Sequence, residues 1–214
     1  MKWLVNGVES GKIAADDRGL AYGDGLFETI AVRAGEPRLF AEHLARLREG
    51  SRRLQLPPPA KSTLAEQAQR LIVPPAADGT LKIIYTRGSG ERGYAPPIEP
   101  DTTLAVGFSA GVRAPVDPAG VTVRLCATPV GRNPQLAGLK TLNRLEQVLA
   151  RAEWRDSAVA EGLLFDTAGL LVCGTMTNVF IVRENRLLTP RLDQCGVHGV
   201  MRAQVLAAAA RLGV

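Results

Sequence analysis

The sequence predicts an α+β fold built from two successive α/β subdomains, and three observations carry that prediction. Strand-like alternation gives way to a helical period in the first 110 residues, and the same change recurs after residue 120. A stretch rich in Gly and Pro, G-V-R-A-P-V-D-P-A-G from 111 to 120, lies between the two patterns and reads as a linker. At 214 residues, with 46% hydrophobic and 22% charged residues, the chain can bury one sizeable core or two small ones. The expected division is 1–110, linker 111–120, and 121–214.

Trp3 to Asn6 with Gly7 reads as a short strand and turn. Residues Asp16 to Gly25 are glycine-rich and give way to L-F-E-T-I-A-V-R, an alternating strand that turns at Ala34-Gly35 and resumes at Pro37 to Leu39. From Phe40 the period becomes helical, with Phe40, Leu44, Leu47, Ser51 and Leu54 on one stripe, until the prolines at 57 to 59 stop it. A second helix is expected over 62–71, then strands over 80–87 and 102–109. Beyond the linker the pattern predicts a strand over 121–128 and a helix over 142–154 with Leu142, Leu145, Leu149 and Ala152 inward. Short strands follow between 162 and 189, and a last helix over 199–212. Between the strand at 80–87 and Tyr94 lies G-S-G-E-R-G, which has the letters of a dinucleotide-binding loop. That loop needs a helix to open at once, and Tyr94, Ala95, Pro96 and Pro97 follow instead. A dinucleotide site is excluded.

The formal charge of +5 raises nucleic acid as a partner. The arginines are dispersed among acids and aromatic residues make up only 5%, whereas a nucleic-acid face needs clustered cations or stacking rings. The three cysteines, Cys126, Cys173 and Cys195, have no metal-like spacing and an odd count, which argues against a zinc site or a disulfide framework. No run of eighteen apolar residues and no signal-peptide core after M-K-W-L-V-N-G are found, so a cytoplasmic location without a membrane partner is the expectation.

The run G-R-N-P-Q-L-A-G-L-K-T-L-N-R-L-E-Q, 131 to 147, draws attention because it delivers a lysine to the start of a helix. Only Lys2, Lys12, Lys61, Lys82 and Lys140 are lysines among 26 basic residues, the others being arginine. A guanidinium stays protonated, whereas a desolvated amine can act as a nucleophile toward a carbonyl. An ordinary surface lysine remains the commoner case on residue type alone. Should the helix reach back to 140, Lys140 and Arg144 would share a face.

This run resembles the cofactor-lysine segment of the class IV pyridoxal-phosphate enzymes, the fold group of branched-chain and D-amino acid aminotransferases. Within it the aminodeoxychorismate lyase branch is most similar. The resemblance extends to D-D-R-G-L-A-Y-G-D-G-L-F-E-T (16–29), H-L-A-R-L (43–47), R-G-S-G-E-R-G-Y (87–94) and T-P-R-L-D-Q-C-G-V-H-G-V-M-R (189–202), in the family's order. It implies the fold of that class with the C-terminal subdomain carrying the lysine and shortened relative to the family. It also implies pyridoxal 5′-phosphate as cofactor, homodimerisation, and conversion of 4-amino-4-deoxychorismate to 4-aminobenzoate and pyruvate in folate biosynthesis. An amino acid aminotransferase, or a degenerate relative with weak activity, is the alternative. By the resemblance Lys140 is the catalytic residue. Arg46 and the backbone amides of Val197 and His198 are phosphate partners, Arg144 lies beside the ring oxygen, and Asn178 belongs to the cofactor pocket. Arg92 and Tyr94 border the substrate, with a plain surface loop as the alternative. Aminotransferases of this fold carry K-x-x-N-Y, and K-T-L-N-R here matches the lyase branch. One position departs from the pattern: Cys173 stands where the family has a glutamate that keeps the ring nitrogen protonated.

Overall fold

The computed structural model describes residues 1–73, 77–111 and 117–213. It divides into two compact units, Met1–Ala114 with Lys140–Asn143, and Pro115–Leu139 with Arg144–Val214. Half of the linker expected at 111–120, residues 112–116, lies outside the described residues. The division differs from the sequence expectation in one respect that matters: the segment bearing Lys140 groups with the first unit.

The first unit is a six-stranded sheet with three helices, the two longer ones packed against it. Its strands are β1 (Lys2–Val5), β2 (Val8–Glu9), β3 (Gly25–Arg33), β4 (Glu36–Pro37), β5 (Gly79–Thr86) and β6 (Thr103–Ala110), in the order β2-β1-β6-β5-β3-β4. Every neighbouring pair is antiparallel. The helices are α1 (Arg18–Tyr22), α2 (Phe40–Arg53) and α3 (Lys61–Leu71). Strand β3 shows the alternation at work: Leu26, Glu28, Ile30 and Val32 are buried, while Thr29 and Ala31 point the other way and are exposed. Leu44, Leu47 and Leu64 from α2 and α3 join Ile30, Val32, Leu81, Ile83 and Val106 of the sheet in one core. The stripe expected for α2 is the one that packs, with Leu44, Leu47 and Ser51 buried.

Helix α1 is not visible in the hydrophobic pattern because it is only five residues long; its start is made by Asp17, whose Oδ1 accepts from the Gly19 amide at 2.7 Å. After β5 no helix opens, and Gly88 takes φ +80° with the Asp101 carbonyl at its back, so the 88–93 loop lacks the helix N-terminus a dinucleotide needs.

The second unit holds a three-stranded sheet, β7 (Thr122–Leu125), β8 (Val159–Phe165) and β9 (Leu171–Gly174), in that order, with β7 parallel and β9 antiparallel to β8. A hairpin, β10 (Ile181–Arg183) and β11 (Arg186–Leu188), turns through Glu184 and Asn185 at φ 51° and 59°, the left-handed pair a two-residue hairpin demands. Its helices are α4 (Leu145–Arg151) and α5 (Val200–Leu212). The core gathers Cys126, Val130, Ala150, Trp154, Leu164, Val172, Cys173, Leu192 and Cys195.

Helix α4 corrects the sequence reading twice. It begins at Leu145 and not at 142, and Leu145 and Leu149 are 76% and 60% exposed where they were expected inward. Ala150 and Trp154 make the packed face instead, the indole Nε1 donating to the Val159 carbonyl at 3.0 Å. The late start has a nonlocal cause. Residues 140–142 run extended beside the opening of β3: the Phe27 amide donates to the Lys140 carbonyl at 3.0 Å, and the Leu142 amide to that of Gly25 at 3.0 Å. A backbone committed to a strand edge cannot also form a helical turn, so Lys140 and Arg144 do not share a helix face. Among the described residues no helix is long and apolar enough to cross a membrane.

Candidate functional site

In the first unit the chemistry gathers on the face of β3 opposite the helices. The bridge between Leu26 and Thr141 fixes the register of the lysine segment. Asn143 Nδ2 donates to the Gly23 carbonyl at 3.2 Å, anchoring the segment's far end. Gly25 must lack a side chain there, since a Cβ would crowd Leu142 and the Tyr85 carbonyl. Held so, Lys140 extends its Nζ over the Phe27 ring, 4.3 Å from the centroid. A second ammonium, that of Lys82 on β5, lies 4.3 Å from the same centroid. Burial pushes the Lys82 amine below its ordinary range. The lysine segment and β5 flank β3 on its two sides, so Phe27 has an amine reaching it from each. Cation–π contact of this kind contributes about 0.5–2 kcal/mol according to desolvation.

On the other face, Glu28 is 1% exposed between β3 and α2. Its carboxylate accepts from Arg46 Nε at 2.8 Å and pairs with His43 Nδ1 at 2.6 Å, and Arg46 Nη2 closes the second arm. Burial raises the Glu28 pKa, yet the hydrogen bonds and charges of Arg46 and His43 outweigh burial and leave it below the ordinary carboxylate value. Arg46, expected at a phosphate, is thus a member of a buried ion cluster.

The loop expected to carry Arg92 and Tyr94 is held from beneath. Arg18, 4% exposed, donates to the carbonyls of Gly93, Tyr94 and Ala95 at 2.9–3.3 Å and shares Asp24 with Arg87. Burial opposes ionisation of Asp24, but the hydrogen bonds and charges of Arg87 and Arg18 prevail and lower its pKa. Arg92 is exposed; Tyr94 is 84% exposed and meets Tyr22 edge to face at 5.3 Å.

In the second unit the turn after β9 and the approach to α5 form one construction. The Val197 segment pairs with Gly138, whose carbonyl accepts from the His198 amide at 3.0 Å, and Asn178 Nδ2 donates to the Val197 carbonyl at 3.0 Å. The His198 amide, expected at a phosphate, is therefore spent on Gly138. Asn178 in turn holds the loop's backbone. Gly199 caps α5, and a Cβ there would strike Asn178 Oδ1. The first helical bond in α5 runs from the Ala203 amide to the Gly199 carbonyl, so the amides of Val200, Met201 and Arg202 have no acceptor within the helix. These three are candidate anion donors in addition to the pair expected at Val197 and His198.

Arg144 stands at the N-cap position of α4, at φ −126° and ψ 20°. Burial lowers its pKa, against the raising influence of Glu146 and Cys173. Cys173 sits on β9 opposite Leu164. Beside it, Glu161 takes the whole 174–177 turn onto its carboxylate: Oε1 accepts from the Thr175 amide at 3.0 Å and hydroxyl at 2.5 Å, Oε2 from the Met176 amide at 3.2 Å and the Thr177 hydroxyl at 3.0 Å.

Residues 25–214 match the profile of the class IV aminotransferases. The chain belongs to the class IV aminotransferase family. An aminodeoxychorismate lyase of Vibrio harveyi is 35% identical over 208 residues, which cover 96% of this chain and 76% of that protein. A 4-amino-4-deoxychorismate lyase from Pseudomonas aeruginosa superposes with a TM-score of 0.90 at 47% identity, over 99% of this chain and 78% of that one. A hypothetical aminotransferase from Mycobacterium tuberculosis in its PLP-bound form shares the class IV fold with a TM-score of 0.78 at 24% identity, covering 100% of this chain and 79% of that one.

Sequence reasoning did not single out Lys82, Phe27 or Glu28 as members of the site. Two of these left a trace: Lys82 is one of the few lysines of an arginine-rich chain, and Glu28 is an acid at an inward position of an alternating strand. The residues fit a phosphorylated aldehyde cofactor in its amine and its phosphate donors, since a held lysine and a helix start with open amides are both present. At the ring nitrogen they do not match the family pattern, because Cys173 is a buried thiol.

Proposed function

We propose that the chain is a pyridoxal-phosphate-dependent carbon–oxygen lyase that converts 4-amino-4-deoxychorismate to 4-aminobenzoate and pyruvate, with Lys140 as its catalytic residue. The observation that carries the reading is the placement of Lys140, whose backbone is fixed to β3 while its amine reaches over Phe27. Similarity to the Vibrio and Pseudomonas lyases supports the choice of substrate. So does Arg144, in the position where the aminotransferases of this fold have a tyrosine.

When bound, pyridoxal phosphate supplies an aldehyde for condensation with amines and a conjugated ring that draws electrons from the carbon next to the substrate nitrogen. Lys140 Nζ would hold the cofactor through that aldehyde. The same Nζ would take the proton from the substrate carbon that bears nitrogen, leaving the electron pair to expel the enolpyruvyl oxygen. Protonation of that group's terminal carbon gives pyruvate, and the remaining ring becomes aromatic. Lys82, a cation on the same face, suits a substrate carboxylate. Arg92 and Tyr94 are assigned to the rim of the substrate site. By the resemblance Arg46, whose Nε and Nη2 are also committed to Glu28, is assigned to the phosphate as its cation, and the amides of Val197 and of Val200, Met201 and Arg202 as its hydrogen-bond donors. Arg144 is assigned to the ring oxygen, and Asn178 to the loop of Val197 and His198 that leads into α5. Homodimerisation, cytoplasmic location and a place in folate biosynthesis belong to the same proposal.

The test is direct. Protein mixed with pyridoxal phosphate and reduced with borohydride should carry the label on the peptide containing Lys140, and unreduced holoprotein given 4-amino-4-deoxychorismate should release pyruvate and 4-aminobenzoate in equal amounts. Label elsewhere, or an α-keto acid other than pyruvate as product, would refute the assignment.

A further inference from the structure

We propose that the first unit carries a second ligand site, on the helix side of its sheet, that takes a small aromatic molecule bearing a carboxylate at one end and an N–H donor at the other.

A cleft of about 510 Å³ opens beside the start of α3. The prolines at 57–59 make one wall, and Gln67, Tyr85 and Leu104 line it from α3 and the sheet. Tyr85 and Leu104 are paired across β5 and β6 and belong to the core beneath the helices, whereas Lys140 reaches over Phe27 on the opposite face. No residue assigned to the reaction lines this cleft.

Two independent features of α3 indicate what the cleft takes. The helix packs through Leu64, Ala68 and Leu71, and the period of that stripe places residue 67 on the same face. The side chain there is nevertheless a polar one. Gln67 is 3% exposed, and its Oε1 has no hydrogen-bond partner among the described residues. A buried carbonyl left without a donor destabilises the fold, and native structures rarely keep one. Because Gln67 lines the cleft, an N–H group bound there would supply the missing donor.

The second feature is the beginning of the helix. Its N-cap, Ala60, makes no side-chain hydrogen bond, no acid occupies the first turn, and the Leu64 amide donates to the Ala60 carbonyl at 3.2 Å as the first helical bond. The amides of Lys61, Ser62 and Thr63 therefore have no acceptor within the helix, at the positive end of its macrodipole. Ala60 and Thr63 line the same cleft, so these amides suit a carboxylate in it. One helical turn, about 6 Å, separates Thr63 from Gln67. Side chains lean toward a helix's N-terminus, so the anion donors and the lone acceptor lie about one aromatic ring apart. The Tyr85 hydroxyl is spent on the Pro57 carbonyl, which leaves its ring and the prolines as apolar walls. At the rim, Arg70 is tied to the Gly7 carbonyl at 2.9 Å, and Glu66 suits a second N–H of the ligand's amine.

The probe is 4-aminobenzoate, titrated into the full chain and followed by the nitrogen-15 amide resonances of Ser62, Thr63 and Gln67. These should shift saturably with a Kd below about 1 mM. Benzoate, which lacks the amine, and aniline, which lacks the carboxylate, should each bind at least about tenfold more weakly, a difference of about 1.4 kcal/mol. That comparison needs no variant to fold. Gln67→Leu exchanges the lone carbonyl for an apolar group of similar size, so its urea midpoint should equal or exceed that of the wild type while its affinity for 4-aminobenzoate falls about tenfold. No saturable shift at the start of α3, shifts confined to residues around Lys140, benzoate binding as well as 4-aminobenzoate, or wild-type affinity in Gln67→Leu would each overturn the proposal. The product of the proposed reaction belongs to this ligand class, but the site does not rest on that reading: binding at α3 by a chain that releases no pyruvate would overturn the lyase assignment and leave the site in place.

Discussion

Glu28→Ala tests whether the buried ion cluster holds the first unit together. The substitution removes one carboxylate that is 1% exposed and leaves two groups facing the gap, Arg46 and His43, whose side chains are 15% and 12% exposed. Breaking a buried pair by deleting one partner costs about 3–5 kcal/mol, because the survivor stays desolvated without its counter-charge. With a urea slope of about 2 kcal/mol/M, the midpoint of the first unit should fall by about 1.5–2.5 M. Trp3 lies on β1 and Trp154 in the second unit, so Trp154→Phe leaves fluorescence that reports on the first unit. Removing both charges as Glu28→Leu with Arg46→Leu should cost less than Glu28→Ala alone, since no isolated guanidinium remains. The sign with pH is fixed by the lowered pKa of Glu28. Its folded value lies below the unfolded one near 4.5, so the carboxylate's contribution is complete above the unfolded pKa and is lost as pH falls through the folded pKa. The wild-type midpoint should therefore drop on acidification below about pH 4.5, and that of Glu28→Gln should drop less. A Glu28→Ala midpoint within about 0.5 M of wild type, or a double variant worse than the single one, would refute the reasoning.

Lys140→Ala should abolish the borohydride-fixed label and lower pyruvate release by at least about a thousandfold, while circular dichroism stays that of the wild type. Lys82→Met should raise KM for 4-amino-4-deoxychorismate by about tenfold or more with little change in pyridoxal-phosphate affinity, since one charge-assisted contact is worth about 1.5–3 kcal/mol; a fall in kcat alone would argue for a different role. Gly199→Ala drives a Cβ into Asn178 Oδ1. Its affinity for pyridoxal phosphate should fall while that for unphosphorylated pyridoxal holds, as measured by absorbance titration.

Much of the fold could be read from local pattern, and what failed to show did so for nonlocal reasons. The helix stripe Leu44, Leu47, Ser51 and the alternation along 25–33 are periodic within a single element, and both pack as the periodicity requires. Leu145 and Leu149 satisfy the same period yet face outward, because the helix they belong to is short and is entered from a strand edge. That edge is set by Gly25 and Phe27, more than a hundred residues earlier, and no window around Lys140 contains them. The candidate site behaves likewise. Lys140 could be singled out as a residue type, but its pairing with Phe27 and Lys82 depends on which strands become neighbours. The phosphate amides were assigned to Val197 and His198 by resemblance, and a bridge to Gly138, sixty residues away in sequence, takes up the amide of His198.

Strand β3 explains why these residues occur in the order they do. Period two sends Leu26, Glu28, Ile30 and Val32 toward α2 and leaves Phe27 to the opposite side, where the two lysines meet it. One strand thus carries a structural face and a chemical face, with adjacent residues doing unlike work. A buried glutamate next to a functional phenylalanine would be costly in an ordinary core, and it is tolerated because Arg46 and His43 satisfy both oxygens. The arrangement makes a separable expectation: changes at Glu28 should register first in the urea midpoint, and changes at Phe27 first in the reactivity of Lys140. Phe27→Leu removes the ring quadrupole but keeps apolar bulk, so its stability should stay within about 1.5 kcal/mol of wild type. Without the ring's face to hold its ammonium, Lys140 should be placed less well, read as a slower condensation with pyridoxal phosphate at a fixed pH. A rate unchanged from wild type would mean that the backbone bonds of the segment to β3 place Lys140 without the ring.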